Sequence, residues 1–114
     1  MKVGVVGAGA MGTGIAQVAA DAGEDVLLFD SRPEALEKAR QSLEKIMARL
    51  VEKGKKSQSE AQELLARIHL VEQLEDFQGR ELIIEAIIED LEIKRSVFSQ
   101  LESVVSENCI IGSN

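Results

Sequence analysis

The sequence predicts an α/β fold built on a doubly wound parallel sheet with strand order 3-2-1-4-5. Three observations predict this class. Short apolar segments rich in β-branched residues alternate with segments of helical periodicity. Six of the nine glycines fall within the first 23 residues, where a first strand would turn into a first helix. The length of 114 residues also suits a single domain.

Composition excludes several functional classes. A net charge of −7 and a pI near 4.7 argue against nucleic-acid binding, which needs clustered Lys and Arg. No apolar run approaches the ~20 residues of a membrane span, and the start lacks the apolar stretch of a signal peptide. The single cysteine, Cys109, forbids an internal disulfide and a cysteine-built metal site. We therefore expect a cytoplasmic domain with no metal, membrane or nucleic-acid partner.

The first elements form a βαβ unit. Lys2–Val6 is a β-branched run typical of a buried strand, and apolar residues recur at helical spacing over Met11–Ala22. Gly23 ends that pattern as a helix C-terminal glycine does, and Asp25–Phe29 is a second apolar strand. The whole unit takes about thirty residues, as expected for this motif.

A helical hairpin over Arg32–Arg67 is predicted next, inserted before the third strand. Its long first helix carries an apolar stripe, and Ser31 with Glu34 predicts a capping box at its start, with a proline tolerated in the first turn. Ser57 and Glu60 predict a second capping box at the start of the shorter helix.

Three further strands complete the sheet. His69–Val71, Leu82–Ile84 and Cys109–Gly112 are short apolar runs, and Leu91–Val105 between the last two has helical spacing. Strands that alternate with helices favour parallel pairing and the order 3-2-1-4-5. Since the chain ends directly after the fifth strand, we expect residues 1–114 to be a dinucleotide-binding domain cut from a longer protein.

The motif Gly7-Ala8-Gly9-Ala10-Met11-Gly12 carries the chemistry. It fits G-x-G-x-x-G and lies where the first strand ends and the first helix begins. The first glycine permits the tight turn, the second lets the backbone approach a pyrophosphate, and the third allows the helix to pack closely on the strand. The helix N-terminus offers free N–H groups and partial positive charge to the phosphates.

Asp30 lies eighteen residues past Gly12, at the end of the second strand. Its carboxylate can accept the hydroxyls of an adenosine ribose and would repel a 2′-phosphate, which favours NAD over NADP. Arg32 opposes this preference, because a nearby arginine can accommodate the extra phosphate. Two alternatives stay open: Asp30 could merely cap the next helix beside an empty glycine turn, and flavin or S-adenosylmethionine sites share the same turn.

Three segments together resemble the NAD-binding domain of the 3-hydroxyacyl-CoA dehydrogenases: Val5–Gln17, Ile83–Lys94 and Ile110–Asn114. The resemblance covers the whole chain and includes the hairpin. It implies a Rossmann-type fold and an oxidoreductase of fatty acid metabolism that oxidises (S)-3-hydroxyacyl-CoA to 3-oxoacyl-CoA with NAD as cofactor.

The resemblance also implies contacts to the cofactor. The glycine turn would hold the pyrophosphate and Asp30 the adenosine ribose, while residues past the fourth and fifth strands would lie along the cofactor or near its nicotinamide half. The residues so implied are Gly7, Gly9, Ala10, Met11, Gly12, Asp30, Ala86, Ile87, Glu89, Lys94 and Asn114.

Lys53, on the hairpin, stands where the family has a lysine for the phosphates of the CoA substrate. With Lys55 and Lys56 it forms a basic cluster on an acidic protein, which suits an anionic ligand. The alternative is a solvated helix end, where lysine favours the helix dipole whatever the function.

The chain also departs from the family. The resemblance implies a catalytic His–Glu pair and a helical dimerisation domain beyond the fifth strand, and neither is found in these 114 residues. His69 comes too early for that role, and we expect it to be a partly buried strand residue; Cys109 reads as a small core residue. We therefore expect no catalytic residue here and a fragment inactive alone, from a longer homodimeric enzyme.

Two other functions remain open at this stage. The chain could be a free-standing dinucleotide-binding or sensor module, or part of a related dehydrogenase for another 3-hydroxy acid.

Overall fold

The fold is a single five-stranded parallel sheet with helices packed against it. A computed structural model describes residues 1–86, 95–96, 99–100, 103 and 109–113. The strands are β1 (Lys2–Val6), β2 (Asp25–Phe29), β3 (Ile68–Val71), β4 (Leu82–Glu85) and β5 (Ile110–Ser113). The helices are α1 (Ala10–Asp21), α2 (Pro33–Glu52) and α3 (Gln58–Arg67), and a 3₁₀ helix spans Leu74–Phe77.

The sheet order is β3-β2-β1-β4-β5 with every pairing parallel, which confirms the predicted fold class. Six of the ten strand ends are as predicted, and the other four differ from the prediction by one residue. The strand order reverses between β1 and β4, because β2 and β3 lie on one side of β1 whereas β4 and β5 lie on the other. Crevices at such a reversal, outside the carboxyl ends of the strands, are where dinucleotides bind in this class of fold.

The predicted hairpin is confirmed, but only one of its two capping boxes forms. Ser57 accepts the backbone N–H of Glu60, whose side chain accepts the backbone N–H of Ser57 in return. The box predicted at Ser31 is wrong, because α2 has Arg32 as its N-cap and no side-chain cap. A cap at Ser31 would put Arg32 in the helix, and a residue that precedes proline avoids helical dihedrals. The helix therefore starts at Pro33.

The two faces of the sheet have separate cores. Strand residues alternate between them, so one face packs against α1, α2 and α3 and the other against the 3₁₀ helix. On the second face the Phe77 ring lies so close to Gly4 that a Cβ there would come within 2.8 Å of it. The strand residues buried in these two cores are Val3, Val5, Val26 and Leu28 on the first face, and Val6, Leu27, Phe29 and Ile83 on the second.

The amino-terminal edge of the sheet is fastened by Arg80. Its side chain is 11% exposed, and its guanidinium donates to the carbonyl oxygen of Asp25 at 3.0 Å and lies 3.2 Å from the Asp25 carboxylate. The other Asp25 oxygen lies 3.2 Å from Nε2 of His69. His69 is thus an exposed residue on the edge strand, and the expectation that it is partly buried is wrong.

The predicted helix over Leu91–Val105 lies largely outside the described residues. Within the described part of the chain, no helix is both long and apolar enough to cross a membrane.

Candidate functional site

The turn between β1 and α1 requires glycine at two of its motif positions. Gly7 has a φ of +107°, a conformation that side chains rarely adopt, and its N–H donates to the Phe29 carbonyl oxygen at 2.7 Å. A Cβ at Gly12 would lie 1.7 Å from the carbonyl oxygen of Gly7. The first turn of α1 is therefore pressed directly onto the end of β1.

Gly9 has a different reason to be glycine. It is the N-cap of α1 in an extended conformation, and a Cβ there would meet no atom of the described residues within 4 Å. Gly9, Ala10 and Met11 are all exposed, and the first turn of α1 contains no acidic residue. This exposed helix start carries the partial positive charge of a helix N-terminus, which suits an anion such as a pyrophosphate.

Thr13 stabilises the turn from beneath. Its buried hydroxyl donates to the Ala8 carbonyl oxygen at 3.2 Å. Sequence analysis did not single out this residue. The available signal was a hydroxyl residue on the inner, otherwise small and apolar face of α1, and a buried hydroxyl needs a hydrogen-bond partner.

Asp30 joins the end of β2 to the glycine turn. One carboxylate oxygen accepts the backbone N–H of Ala8 at 3.0 Å and the other the backbone N–H of Arg32 at 2.9 Å. The Arg32 guanidinium donates to both oxygens at 3.1 Å. Burial alone would raise the pKa of Asp30, but the Arg32 and backbone hydrogen bonds outweigh it and lower that pKa below its ordinary 3.8. The carboxylate is thus held ionised.

This arrangement places Asp30 in two roles. The bond to the Arg32 N–H closes a local turn before α2, but it is not the cap that the helix-capping alternative supposed, because α2 has no side-chain cap. The bond to Ala8 spans 22 residues and fixes the carboxylate against the glycine turn, where that alternative does not place it. Asp30 is also buried, with 7% of its side chain exposed.

Ala86 lies at the same edge of the sheet. Its backbone N–H donates to the Val6 carbonyl oxygen at 2.8 Å, so the chain leaving β4 runs beside the start of the glycine turn. The preceding residue, Glu85, is fully buried on the face that Val6 also occupies, and sequence analysis did not select it. The structure therefore brings together the predicted residues Gly7, Gly9, Ala10, Met11, Gly12, Asp30 and Ala86.

Four predicted cofactor contacts lie outside the described residues: Ile87, Glu89, Lys94 and Asn114. Their roles stay predictions.

Lys53 is exposed and lies away from the glycine turn. It is the C-cap residue of α2, and Lys56, one turn on, forms an ion pair with Asp21. Asp21 is the last residue of α1, whereas the glycine turn adjoins its first, and twelve residues of helix span about 18 Å. The basic cluster is thus separate from the candidate cofactor site.

Cys109 and His69 lie outside the candidate cofactor site. Cys109 is partly buried and packs against the core on the second face of the sheet, and burial raises the pKa of its thiol, as expected of a small core residue. His69 lies toward the amino-terminal edge, opposite the glycine turn. In the part of the chain that the structure describes, no group of three His, Cys, Asp or Glu side chains is placed to hold a metal ion.

Comparison with known proteins gives a consistent result. Residues 2–114 match the family model described as "3-hydroxyacyl-CoA dehydrogenase, NAD binding domain". The chain is 44% identical over its full length to a probable 3-hydroxybutyryl-CoA dehydrogenase of Deinococcus radiodurans, and 40% identical over 113 residues to one of Bacillus subtilis. The crystal structure of 3-hydroxybutyryl-CoA dehydrogenase from Escherichia coli superposes with a TM-score of 0.95 at 35% identity, covering all of this chain and 24% of that one.

The relatives are longer than this chain. It covers 41% of the Deinococcus protein and, over 99% of its own length, 39% of the Bacillus protein. The chain thus spans about two fifths of the length of these two relatives.

Proposed function

The chain belongs to the NAD-binding domain family of the 3-hydroxyacyl-CoA dehydrogenases, and on that premise we propose that it is the cofactor-binding part of such an enzyme. The proposed reaction is oxidation of (S)-3-hydroxyacyl-CoA to 3-oxoacyl-CoA in fatty acid metabolism. One observation supports it above the others. An ionised, buried carboxylate at the end of β2 is hydrogen-bonded to the glycine turn, in which a Cβ at the helix N-cap Gly9 would meet no atom of the described residues within 4 Å.

NAD is the cofactor of this family, and the described residues fit it. The N–H groups at Gly9, Ala10 and Met11 suit the pyrophosphate, and Asp30 suits the adenosine ribose. Ala86 lies where the cofactor would cross from β1 to β4. When bound, NAD supplies the hydride acceptor. The part of this chain is to bind and orient it through backbone donors and one fixed charge.

The substrate contacts are proposed on a different part of the molecule. Lys53 would contact the phosphates of CoA from the end of α2, as the family resemblance implies. The contacts of Ile87, Glu89, Lys94 and Asn114 toward the nicotinamide half are proposed on the same resemblance. Homodimerisation through a further domain of the enzyme, and a cytoplasmic location, are likewise proposals.

Calorimetry and an activity assay on the 114-residue chain test the function. We expect NAD to bind, because the phosphate and ribose contacts are both within residues 1–86. We expect no turnover of 3-hydroxybutyryl-CoA. The single histidine of the sequence lies at the opposite edge of the sheet, and loss of a general base typically removes about 10²–10⁴-fold of rate.

The two measurements test different parts of the proposed function. Absence of NAD binding would contradict the proposed cofactor site. Steady NADH production from chain purified free of any longer dehydrogenase would contradict the assignment of catalysis to residues outside these 114.

A further inference from the structure

The Asp30 carboxylate already accepts four hydrogen bonds. Two come from backbone N–H groups, of Ala8 at 3.0 Å and Arg32 at 2.9 Å. Two come from the Arg32 guanidinium, whose Nε and Nη2 each lie 3.1 Å from a different oxygen. A carboxylate has about four acceptor positions, so this one is filled. The two hydroxyls of a ribose can bind only if donors leave.

The backbone donors are not free to leave. Ala8 is buried in the turn that the Thr13 hydroxyl holds. The Arg32 backbone starts α2, and its carbonyl oxygen accepts the N–H groups of Ala35 at 3.0 Å and Leu36 at 3.3 Å. Withdrawing either backbone donor would therefore disturb the fold.

The Arg32 side chain is free to leave. It is 57% exposed, whereas that of Asp30 is 7% exposed, so the guanidinium covers the carboxylate from the solvent side. A ribose would approach from the same side. A ribose would therefore displace the two donors of the Arg32 guanidinium and leave the two backbone donors in place.

We propose that Arg32 is a specificity-determining residue of the adenosine-ribose site, acting as a latch on Asp30 that opposes NAD and favours a 2′-phosphorylated cofactor. The inference rests on the proposed function. With NAD, the guanidinium is displaced and its two charge-assisted hydrogen bonds are lost. With NADP, the displaced guanidinium stays within reach of the 2′-phosphate and offsets its repulsion by Asp30.

The size of each effect follows from the exposure of the pair. Exposed ion pairs stabilise weakly, so removing the latch should tighten NAD binding by roughly two- to fivefold. The contact to a 2′-phosphate is charge-assisted, and losing it should weaken NADP binding by about tenfold. The preference for NAD over NADP should therefore rise by more than about twentyfold.

The experiment is calorimetric titration of NAD and NADP against the unchanged chain, Arg32→Ala and Arg32→Lys. Arg32→Ala should bind NAD more tightly and NADP more weakly. Arg32→Lys should share the gain for NAD, because an ammonium cannot bridge both oxygens, but it should keep most of the NADP affinity through its charge. Thermal unfolding of each variant checks that the turn is intact.

Two controls isolate the latch. Arg40→Ala removes an arginine of α2 that pairs with Glu37 and Glu44, away from Asp30, and should change neither affinity. Nicotinamide mononucleotide lacks the adenosine half, so its weak binding should be the same for all variants.

The outcomes separate this inference from the function on which it rests. If the unchanged chain does not bind NAD, the proposed function fails. If it binds NAD, but Arg32→Ala leaves either the NAD or the NADP affinity unchanged or moves it in the opposite direction, the latch is refuted and the proposed function stands.

Discussion

Three glycines around the start of α1 differ in the free space beside them, and this predicts three outcomes on replacement by alanine. A Cβ at Gly12 would lie 1.7 Å from the Gly7 carbonyl oxygen and 2.9 Å from its carbon. At Gly9 and at Gly14 it would meet no described atom within 4 Å. Gly9 faces the candidate pyrophosphate site, whereas Gly14 lies inside the helix.

The magnitudes follow from these distances. Ordinary van der Waals contact begins near 3.4 Å, so Gly12→Ala forces α1 and the turn apart by well over an ångström. Overpacking against backbone costs about 3 kcal/mol, of which less than about 1 kcal/mol returns as helix propensity. Gly14→Ala should instead stabilise the chain by roughly 0.5–1 kcal/mol. Gly9→Ala should change stability by less than about 1 kcal/mol, since only an N-cap preference is lost.

Thermal unfolding and NAD titration measure the set. We expect the Gly12→Ala midpoint to fall by roughly 10 °C or more, because each kcal/mol shifts a domain of this size by about 4–8 °C. Gly9→Ala should unfold near the unchanged chain but bind NAD at least about tenfold more weakly, because its methyl group enters the space meant for phosphate. Gly14→Ala should bind NAD normally.

Two results would refute this reasoning. An unchanged midpoint for Gly12→Ala would mean that α1 is not pressed onto Gly7 as the geometry requires. Unchanged NAD affinity for Gly9→Ala would place the pyrophosphate elsewhere.

The remaining predictions concern two charged residues. Asp30→Ala should weaken NAD binding by roughly 1.5–3 kcal/mol and reduce the difference in affinity between NAD and NADP, as measured by titration of both cofactors. Unchanged NAD affinity would mean that Asp30 only stabilises the turn. Because the folded-state pKa of Asp30 is lowered, its contribution to stability is complete above the unfolded value of 3.8 and is lost as pH falls through the folded value. The difference in unfolding free energy between the unchanged chain and Asp30→Asn should thus be constant above about pH 5 and shrink below pH 3.8, and a constant difference down to pH 2 would contradict the shift. Lys53→Glu, in the longer enzyme, should raise the Michaelis constant for an acyl-CoA but not for the same acyl group on a pantetheine thioester, at a stability cost within ~0.5 kcal/mol plus a modest dipole penalty; equal effects on both would leave Lys53 as a helix-end charge.

Local patterns were sufficient to predict the framework of the molecule. The strand order follows from alternating apolar segments and the rules of parallel connection, and the hairpin from an apolar stripe with a start signal at Ser57. The same Ser-x-x-Glu spacing at Ser31 was misleading, because the residue before Pro33 avoids helical dihedrals and the helix therefore begins at Pro33. A spacing rule thus predicts a cap only when the intervening backbone can become helical.

Residues whose roles depend on distant partners were the ones that sequence analysis could not specify. The 3₁₀ helix places Phe77 over Gly4, which lies more than seventy residues earlier in the chain. The sequence of this short helix has no periodicity from which it could be predicted. His69 was expected to be partly buried because it starts an apolar strand, yet that strand lies at the edge of the sheet, where the exposed His69 side chain lies 3.2 Å from the carboxylate of Asp25 on β2.

The motif predicts the position of the Asp30 carboxylate but not its hydrogen-bond partners. The G-x-G-x-x-G pattern and the acid after β2 predict that a carboxylate lies near a ribose, which is a statement about position. Whether that carboxylate is available is decided by Arg32, two residues later, and by the Ala8 N–H, 22 residues earlier. From the sequence, Arg32 was interpreted only as a residue that can accommodate the 2′-phosphate of NADP. Its hydrogen bonds to Asp30 imply that one side chain sets both the affinity for NAD and the tolerance of NADP, so the cofactor preference belongs to the pair and not to the acid alone.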